Sequence, residues 1–295
     1  MSVKLLMEKP GYFKWSTKKI AAQFGISEAS VIKARQIFKN SKSIPITNVK
    51  VATKTSNNKV VTKSIQKIST KFDKNNVLII ADSHEPFCKE GYMQHCLDIQ
   101  KEYKCGTVVH IGDEVDLCAI SQWEKDPDGL SAGTESDLAQ QKMKEWYKAF
   151  PTASVCIGNH LERPFRKARA SGIPQKFLKT YEEAWQAPKG WKWADSWEFN
   201  GVLYTHGTGM SGASAAITLA TRYRQSCVIG HIHTQSGIQY NASSKDLVWG
   251  MQVGGAIDDN KYAFAYAKHQ VKKSIIGCGV VLNGKLPLYI PMKLS

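Results

Sequence analysis

Residues 77–84 read Val-Leu-Ile-Ile-Ala-Asp-Ser-His, a short apolar run that ends abruptly in an acid and a histidine. Four more short runs of this kind follow along the chain, at 107–111, 153–157, 201–205 and 227–229. Continuous apolar runs of this length are typical of buried strands, and stretches with a helical pattern lie between them. The sequence therefore predicts an α/β fold in which the polar residues that follow the strands collect beyond the strand ends.

The five predicted strands all end in residues with carboxylate, amide or imidazole side chains. These residues belong to the segments Asp82-Ser83-His84, Gly112-Asp113-Glu114-Val115-Asp116, Gly158-Asn159-His160, His206-Gly207 and Gly230-His231-Ile232-His233. Alternation along an extended segment points both members of an i, i+2 pair to one side, so the first and last segments can each present two ligands to one small volume. Oxygen and imidazole ligands without thiolates suit hard or borderline divalent cations. Two such cations, about 3.5–4 Å apart and sharing a carboxylate, would activate a water for in-line attack on phosphorus.

Taken in order, Asp-x-His, Gly-Asp-x-x-Asp, Gly-Asn-His, His-Gly and Gly-His-x-His resemble the motifs of the calcineurin-like metallophosphoesterase superfamily. The resemblance implies a four-layer α/β/β/α sandwich, built from two mixed sheets covered by helices, over residues 76–295. It also implies a hydrolase of phosphoric esters that uses two divalent metal ions. Mn²⁺ is the first expectation, and Fe, Zn and Ni are the alternatives.

The same resemblance assigns roles to individual residues. The metal ligands that it implies are Asp82, His84 and His233 for the first ion, Asn159, His206 and His231 for the second, and Asp113 as the bridge. His160 matches the general acid for the leaving oxygen, and Asp116 matches the acid that orients this histidine. Leu117 departs from the Ser/Thr protein phosphatases of the superfamily, which have a phosphate-binding arginine at that place, so a phosphoprotein substrate is disfavoured.

The positive charge of the chain is concentrated near the N-terminus. Residues 1–76 carry a net charge of +13, whereas the other 219 residues carry +2. A basic arm that is nearly free of acids suits a polyanion such as DNA, because lysines and arginines near phosphates release counterions on binding. For residues 41–75 a solvated basic linker, with or without a weak hairpin, is an equal alternative.

The first 40 residues predict a helix-turn-helix-like module. Residues 16–24 have a helical pattern, Gly25 suits a left-handed turn, and Ser27 can cap a second helix. In a DNA-binding unit of this type the second helix enters the major groove, which makes Ser27, Ser30 and Lys33 the candidate DNA contacts. A small packing module, or one that docks onto a protein, remains an alternative.

Three further features near the motifs each have two interpretations. Arg163 and Arg166 follow the third motif and either steer a substrate phosphate or form surface ion pairs. The Trp-rich segment 185–197 either stacks on nucleobases or packs in the protein. His110 lies inside a predicted strand and outside every motif, and we expect an ordinary core histidine that is bound to a backbone carbonyl.

Composition excludes several classes of protein. A hydrophobic content of 42% with 22% charged residues is typical of a soluble globular chain, and no apolar stretch approaches the ~20 residues of a membrane span. The first 11 residues do not read as a secretory signal. Seven cysteines without a CxxC pair disfavour both a disulfide framework and a thiolate zinc site. We expect a cytoplasmic protein of a bacterial cell or a phage, with DNA rather than a membrane as its partner.

Three functions are compatible with these features. The first is a phosphodiesterase or nuclease that acts on DNA and is tethered by the basic helix-turn-helix arm. The gap from Glu162 to His206 is too short for a large cap domain, so the cleft is expected to be open enough for a polymer. The second is a phosphomonoesterase or cyclic-nucleotide phosphodiesterase that acts on a small substrate. The third is a DNA-binding regulator whose metal site is structural or has decayed.

Overall fold

The computed structural model describes residues 16–24, 27–29, 31–32, 71–122, 127–262 and 273–293. The chain divides into two units, Met1–Ile68 and Ser69–Ser295. Among the described residues, no helix combines the length and the apolar character that a bilayer crossing requires.

The first unit contains the predicted N-terminal helix, α1 (Thr17–Phe24). Residues 28–29 and 31–32 are also helical, and the Val31 N–H donates to the Ser27 carbonyl over 3.2 Å. Ile20 and Val31 are buried, whereas Ser27 is exposed. Gly25, Ser30, Lys33 and the predicted weak hairpin of the linker lie outside the described residues, so the turn and the DNA contacts stay predictions.

The second unit is a mixed α/β fold, as the sequence predicts. Its strands are β1 (Asp73–Ile80), β2 (Cys105–His110), β3 (Ala153–Cys156), β4 (Trp191–Ala194), β5 (Ser196–Phe199), β6 (Val202–Thr205), β7 (Cys227–Ile229), β8 (Ser236–Ala242), β9 (Leu247–Val253), β10 (Gly277–Leu282) and β11 (Leu286–Pro291). Its helices are α2 (Tyr92–Glu102), α3 (Ala132–Ala149), α4 (Arg163–Ala170), α5 (Tyr181–Ala184), α6 (Ala215–Tyr223) and α7 (Asp259–Tyr262), with short 3₁₀ turns at Cys118–Ile120 and Gln175–Phe177.

The strands form two mixed sheets, which is consistent with the fold that the motif resemblance implies. The first has the order β11-β10-β1-β2-β3-β4, with β1 to β4 parallel and β10 antiparallel to β1. The second has the order β5-β6-β7-β9-β8, with β6, β7 and β9 parallel and antiparallel strands at both edges. Buried apolar residues of both sheets belong to one hydrophobic core.

The two sheets approach closely at Gly279 in β10. A Cβ atom on this glycine would lie 2.9 Å from a methyl carbon of Val253 and 3.0 Å from one of Met251, both in β9. These distances are shorter than carbon atoms tolerate at van der Waals contact, so a larger residue here would force Val253 or Met251 to shift.

Strand register places the polar motifs side by side. Ile80 at the end of β1 pairs with His110 at the end of β2, and His110 pairs with Val155 near the end of β3. In the second sheet Thr205 pairs with Ile229, so the motifs that follow β6 and β7 are also neighbours. Because the carboxyl ends of parallel strands meet at one edge, each sheet delivers its motifs to one place.

The Trp-rich segment packs in the protein and does not form an open stacking platform. Trp185 and Trp191 are buried, and Trp193 and Trp197 pack against the same core. The indole N–H of Trp193 donates to Glu114 Oε1 over 2.7 Å, and that of Trp197 donates to the Val155 carbonyl over 2.9 Å. The packing interpretation is therefore the correct one.

Candidate metal centre

The residues that carry the motifs adopt unusual backbone conformations. His84, Asp113 and His231 have φ angles of 49°, 47° and 65°, in the left-handed region that non-glycine residues seldom occupy. Such conformations cost free energy and persist where surrounding structure imposes them, often at functional sites. Three strained residues at the ends of three strands therefore single out this edge of the fold.

The first group of side chains comprises Asp82, His84 and His233. His233 Nε2 lies 3.2 Å from Asp82 Oδ2 and 3.0 Å from His84 Nε2. The backbone N–H of His231 donates to Asp82 Oδ2 over 2.7 Å, which ties the end of β7 to the end of β1. Asp82 Oδ1 is buried and has no hydrogen-bond partner among the described residues. A buried carboxylate oxygen without a partner next to two imidazoles is a suitable ligand for a cation.

The second group comprises Asp113, Asn159, His206 and His231. His206 Nε2 lies 3.0 Å from both Asp113 Oδ2 and Asn159 Oδ1. Its other ring nitrogen, Nδ1, lies 3.1 Å from the Ile111 carbonyl, which can accept a hydrogen bond from the Nδ1–H group. A hydrogen bond of this kind fixes the tautomer of a histidine and leaves Nε2 with a lone pair for a metal.

Two glycines make room for these carboxylates. A Cβ atom on Gly158 would overlap Asp113 Oδ1, and one on Gly230 would overlap Asp82 Oδ1. The glycines that begin the Gly-Asn-His and Gly-His-x-His motifs are therefore required by the packing of an aspartate from a neighbouring strand.

The Asp116 carboxylate contacts two histidines, His84 and His160. Its Oδ1 atom lies 2.8 Å from His84 Nδ1 and 3.1 Å from His160 Nδ1, and the Asp116 carbonyl is 2.8 Å from the same His160 nitrogen. Asp116 therefore contacts His160 as the resemblance implies, and it also orients His84, which the sequence did not indicate.

Arg163 does not form a surface ion pair among the described residues, and its interpretation as a phosphate-binding residue stays a prediction. Its side chain is buried, Nη1 donates to the Asp116 carbonyl over 2.7 Å, and Nη2 lies 3.0 Å from His160 Nε2. The guanidinium group thus contacts the predicted general acid. Arg166 lies one turn further along α4 and donates from Nη2 to the Asn159 carbonyl over 3.1 Å.

The electrostatics of the centre favour a positive charge between its carboxylates. Burial alone raises the pKa of Asp82 and of Asp113, but the neighbouring histidines, above all His206, outweigh burial and hold both pKa values below their usual range. Burial lowers the pKa of His206, yet Asp113 and Asp82 raise it to about 9. Burial lowers the pKa of His84 to about 4. Ionised carboxylates and a neutral His84 are the protonation states that metal ligation requires, and binding of a cation would release the proton that His206 otherwise retains.

The residues fit divalent metal ions. Three groups bring their ligand atoms within 4.8 Å of one another, namely Asp82-His84-His233, His84-Asp116-His160 and Asp113-His206-His231. The first and third groups consist of side chains that the sequence assigned to the first and second ion. Asp113 joins only the third group in the described part of the chain, so its bridging role stays a prediction.

His160 is the predicted acid, and 14% of its side chain is exposed, so a substrate can reach it. Burial lowers the pKa of His160, but Asp113 and Asp116 outweigh burial and raise it. Its backbone N–H donates to Asp113 Oδ1 over 2.9 Å. A proton is therefore retained more readily on this imidazole than on that of His84.

Sequence reasoning missed two buried groups beside the centre. Glu114 is fully buried, and burial raises its pKa to about 7 in spite of the bond from Trp193. His110 is buried, as expected for a core histidine, but it is not bound to a backbone carbonyl. Its Nε2 atom lies 2.9 Å from Ser83 Oγ, and its Nδ1 atom accepts the Gly112 N–H over 3.3 Å. Glu114 occupies an unspecified position of the Gly-Asp-x-x-Asp motif and His110 lies two residues before it, and neither position indicates these contacts.

Comparison with known proteins gives limited information. No protein-family model matches the chain, and no curated protein sequence matches it. Among solved structures it is similar to vacuolar protein sorting 29 from Cryptosporidium parvum, with 11% identity, a TM-score of 0.37, and coverage of 75% of this chain and 97% of that one. It is also similar to Vps29 from Chaetomium thermophilum (9% identity, TM-score 0.36, coverage 72% and 82%) and to the nuclease MPE from Pseudomonas putida (12% identity, TM-score 0.32, coverage 73% and 87%). TM-scores and identities this low assign neither a family nor a function to the chain.

Proposed function

We propose that the protein is a phosphodiesterase or nuclease that acts on DNA and depends on two divalent metal ions. The observation that supports this proposal best is the convergence of seven predicted ligands from five strand ends, with Asp82, Asp113 and His206 buried. The proposal includes the finer features of the motif resemblance, namely the four-layer sandwich, Asp113 as the bridge, and Mn²⁺ as the preferred ion.

The chain's own residues would position the substrate and move one proton. Two bound divalent ions would supply Lewis-acid activation of water and charge neutralisation at phosphorus. His160 would donate a proton from Nε2 to the leaving oxygen, while Asp116 holds the Nδ1 side of the ring. Because Arg163 faces Nε2, the guanidinium group must turn away before this nitrogen can carry the proton. An incoming phosphate offers the guanidinium group that alternative partner.

DNA is the proposed polymer because of the charge distribution. Residues 1–76 carry +13 and would supply affinity through phosphate contacts, with Ser27, Ser30 and Lys33 as contacts of a helix-turn-helix. Of these three residues, Ser27 is described and is exposed, as a contact residue has to be.

A small nucleotide is the second candidate substrate, and one observation favours it. A cavity of about 480 Å³ borders His206 and is lined in part by Met210, Leu219, Thr205 and Asp195. Apolar side chains with a few polar groups are the usual lining of a small-molecule site. Such a substrate would make the protein a phosphomonoesterase or cyclic-nucleotide phosphodiesterase.

One panel of substrates tests the proposal. The protein is incubated with Mn²⁺ and, in parallel, with single- and double-stranded DNA, RNA, cyclic nucleotides and an aryl phosphodiester, and each reaction is repeated with EDTA. We expect metal-dependent cleavage of DNA. Turnover of cyclic nucleotides alone would favour the second candidate. Absence of turnover from every substrate, together with binding of DNA, would contradict an enzyme and favour a DNA-binding regulator.

A further inference from the structure

A second cavity, of about 270 Å³, borders the candidate metal centre at helix α4. Six of its lining residues carry polar groups, and we refer to them as the α4 pocket: Ser121, Gln122, Asn159, Arg163, Arg166 and Lys167. Asn159 connects the pocket to the centre, because its side-chain oxygen lies 3.0 Å from His206 Nε2. A group bound in the pocket would therefore lie beside the reacting phosphorus.

The α4 pocket is positively charged and lacks internal compensation. Arg163, Arg166 and Lys167 contribute three cations, and none of the described residues that line it is acidic. In the part of the chain that the structure describes, no carboxylate forms an ion pair with any of the three. Arg224, by comparison, is paired with Asp246. Arginines and lysines that converge without acidic partners are suited to bind an anion.

The cavity beside His206 differs from the α4 pocket in charge. Its lining includes Glu162 and Asp195, and the described residues that form it include no lysine or arginine. A phosphate group would be repelled there and attracted to the α4 pocket. We therefore expect that any phosphate of the substrate other than the reacting one lies toward α4.

The three cations lie at two different places along α4, which suits them to two different contacts. Arg163 is buried against His160 and Asp116. Arg166 and Lys167 are exposed one turn further, ~5.4 Å along the helix axis. A monoester has a single phosphate, which the centre itself would hold. A second anion site next to the centre has a use when the substrate carries another phosphate.

We propose that the α4 pocket binds the phosphate adjacent to the scissile one in a polynucleotide strand. This inference rests on the proposed function, and it names the part of the chain that selects a polymer over a small ester. Arg166 and Lys167 are the specificity-determining residues. Arg163 remains a positioning residue for His160.

The test compares substrates that differ by one phosphate. Thymidylyl-thymidine has only the scissile phosphate, and its 5′- and 3′-phosphorylated forms add a second phosphate on one side. We expect wild-type protein to prefer one of the phosphorylated forms in kcat/KM. The double variant Arg166→Gln/Lys167→Gln should lower this preference about tenfold, the effect of losing roughly one charge-assisted contact. Lys167→Gln alone should lower it in part, and this variant leaves the contact of Arg166 with the Asn159 carbonyl in place.

The matched control is Arg169→Gln, because Arg169 is an exposed cation of the same helix that does not line the pocket. It should leave the preference unchanged. A double variant that loses the same factor on all three dinucleotides would overturn the proposal, since the two residues would then act through Asn159 or the helix. An equal effect of Arg169→Gln would also overturn it, since general charge would then account for the loss.

A binding measurement separates this inference from the proposed function. Binding of a fluorescent 12-nucleotide DNA is measured in EDTA at several salt concentrations, with no turnover required. The double variant should reduce the slope of log affinity against log salt by about 1, because roughly one phosphate contact is lost. If wild-type protein cleaves no dinucleotide, the proposed function fails and the salt slope alone decides about the pocket. An unchanged slope then overturns the pocket as well.

Discussion

The candidate metal centre and the basic N-terminal segment, residues 1–76, would contribute to function in different ways. The carboxylates of the centre are buried, and several contacts hold each of them, as His84, His160 and Arg163 hold Asp116. The N-terminal segment carries a charge of +13, with three acids among its 76 residues. A site that depends on geometry should fail when one atom changes. A site that depends on charge should weaken in proportion to the charge removed.

The strongest test of this contrast is Asp113→Asn. The substitution removes one negative charge from a side chain that, by the proposal, would bind both ions. Turnover should fall by several orders of magnitude, and bound metal should decrease while the fold is retained. Metal analysis, circular dichroism and initial rates check this expectation.

The control for Asp113→Asn is Asp137→Asn, which removes the same charge from an exposed position in α3. It should leave both metal content and rate unchanged. Two ions per chain and a normal rate in the Asp113 variant would show that the centre is assigned incorrectly.

The sequence predicts those features of the site that follow from where the strands end. Parallel strands must deliver their following residues to one edge, so Asp82, Asp113 and Asn159 could be placed together from the positions of three apolar runs. The partner of each side chain could not be predicted in this way. The contact of Arg163 with His160 depends on where α4 packs, and the hydrogen bond of His110 with Ser83 depends on the register of β1 and β2.

For exposed charged residues the sequence predicts the net charge of a segment but not the contacts of its side chains. The sequence shows that residues 1–76 are basic, but exposed lysines leave no periodic pattern that indicates what they contact. The α4 pocket illustrates the same limit. The sequence left Arg166 with two interpretations and did not single out Lys167, and only the fold places both beside Asn159.

The second prediction concerns His160→Ala, which should affect chemistry while the ions stay bound. Loss of a general acid typically costs about 10²–10⁴-fold in rate. The loss should be largest for an alkoxide leaving group and smaller for nitrophenolate, which needs little protonation. Rates on two phosphodiesters with these leaving groups, together with metal analysis, measure the difference. Equal losses on both substrates would contradict the acid role.

The third prediction addresses the basic segment. Removal of residues 1–70 should leave hydrolysis of an aryl phosphodiester nearly unchanged, while DNA binding weakens and depends less steeply on salt. The deletion ends at residue 70 because β1 begins at Asp73, whose N–H donates to the Lys104 carbonyl over 2.8 Å. Affinities at several salt concentrations and rates on the small ester distinguish the two parts. An unchanged salt slope would mean that the segment is only a tether.

The smallest expected effect is on the pH dependence of the free energy of unfolding. It comes from the single buried imidazole of His110, and so it tests how one buried group behaves in comparison with many exposed charges. Burial lowers the pKa of His110 to about 4 from a usual 6.5, and the opposing influence of Asp82 and Asp113 does not restore it. Between these two values the unfolded chain binds a proton that the folded chain does not. Stability should therefore fall as the pH falls from 6.5 toward 4, by about 1.4 kcal/mol per pH unit for this one group.

His110→Gln should remove that contribution from the slope, since the amide can still donate to Ser83 but does not titrate. The free energy of unfolding of metal-free protein, measured in urea between pH 7 and pH 4, gives both slopes. His95→Gln is the control, because a hydrogen bond with Cys278 raises the pKa of His95. A histidine with a raised pKa contributes stability that is lost as the pH rises, so this control should not reduce the acid-side slope. A His110→Gln slope equal to that of the wild type would show that His110 is already protonated, or is accessible to water, in the folded protein.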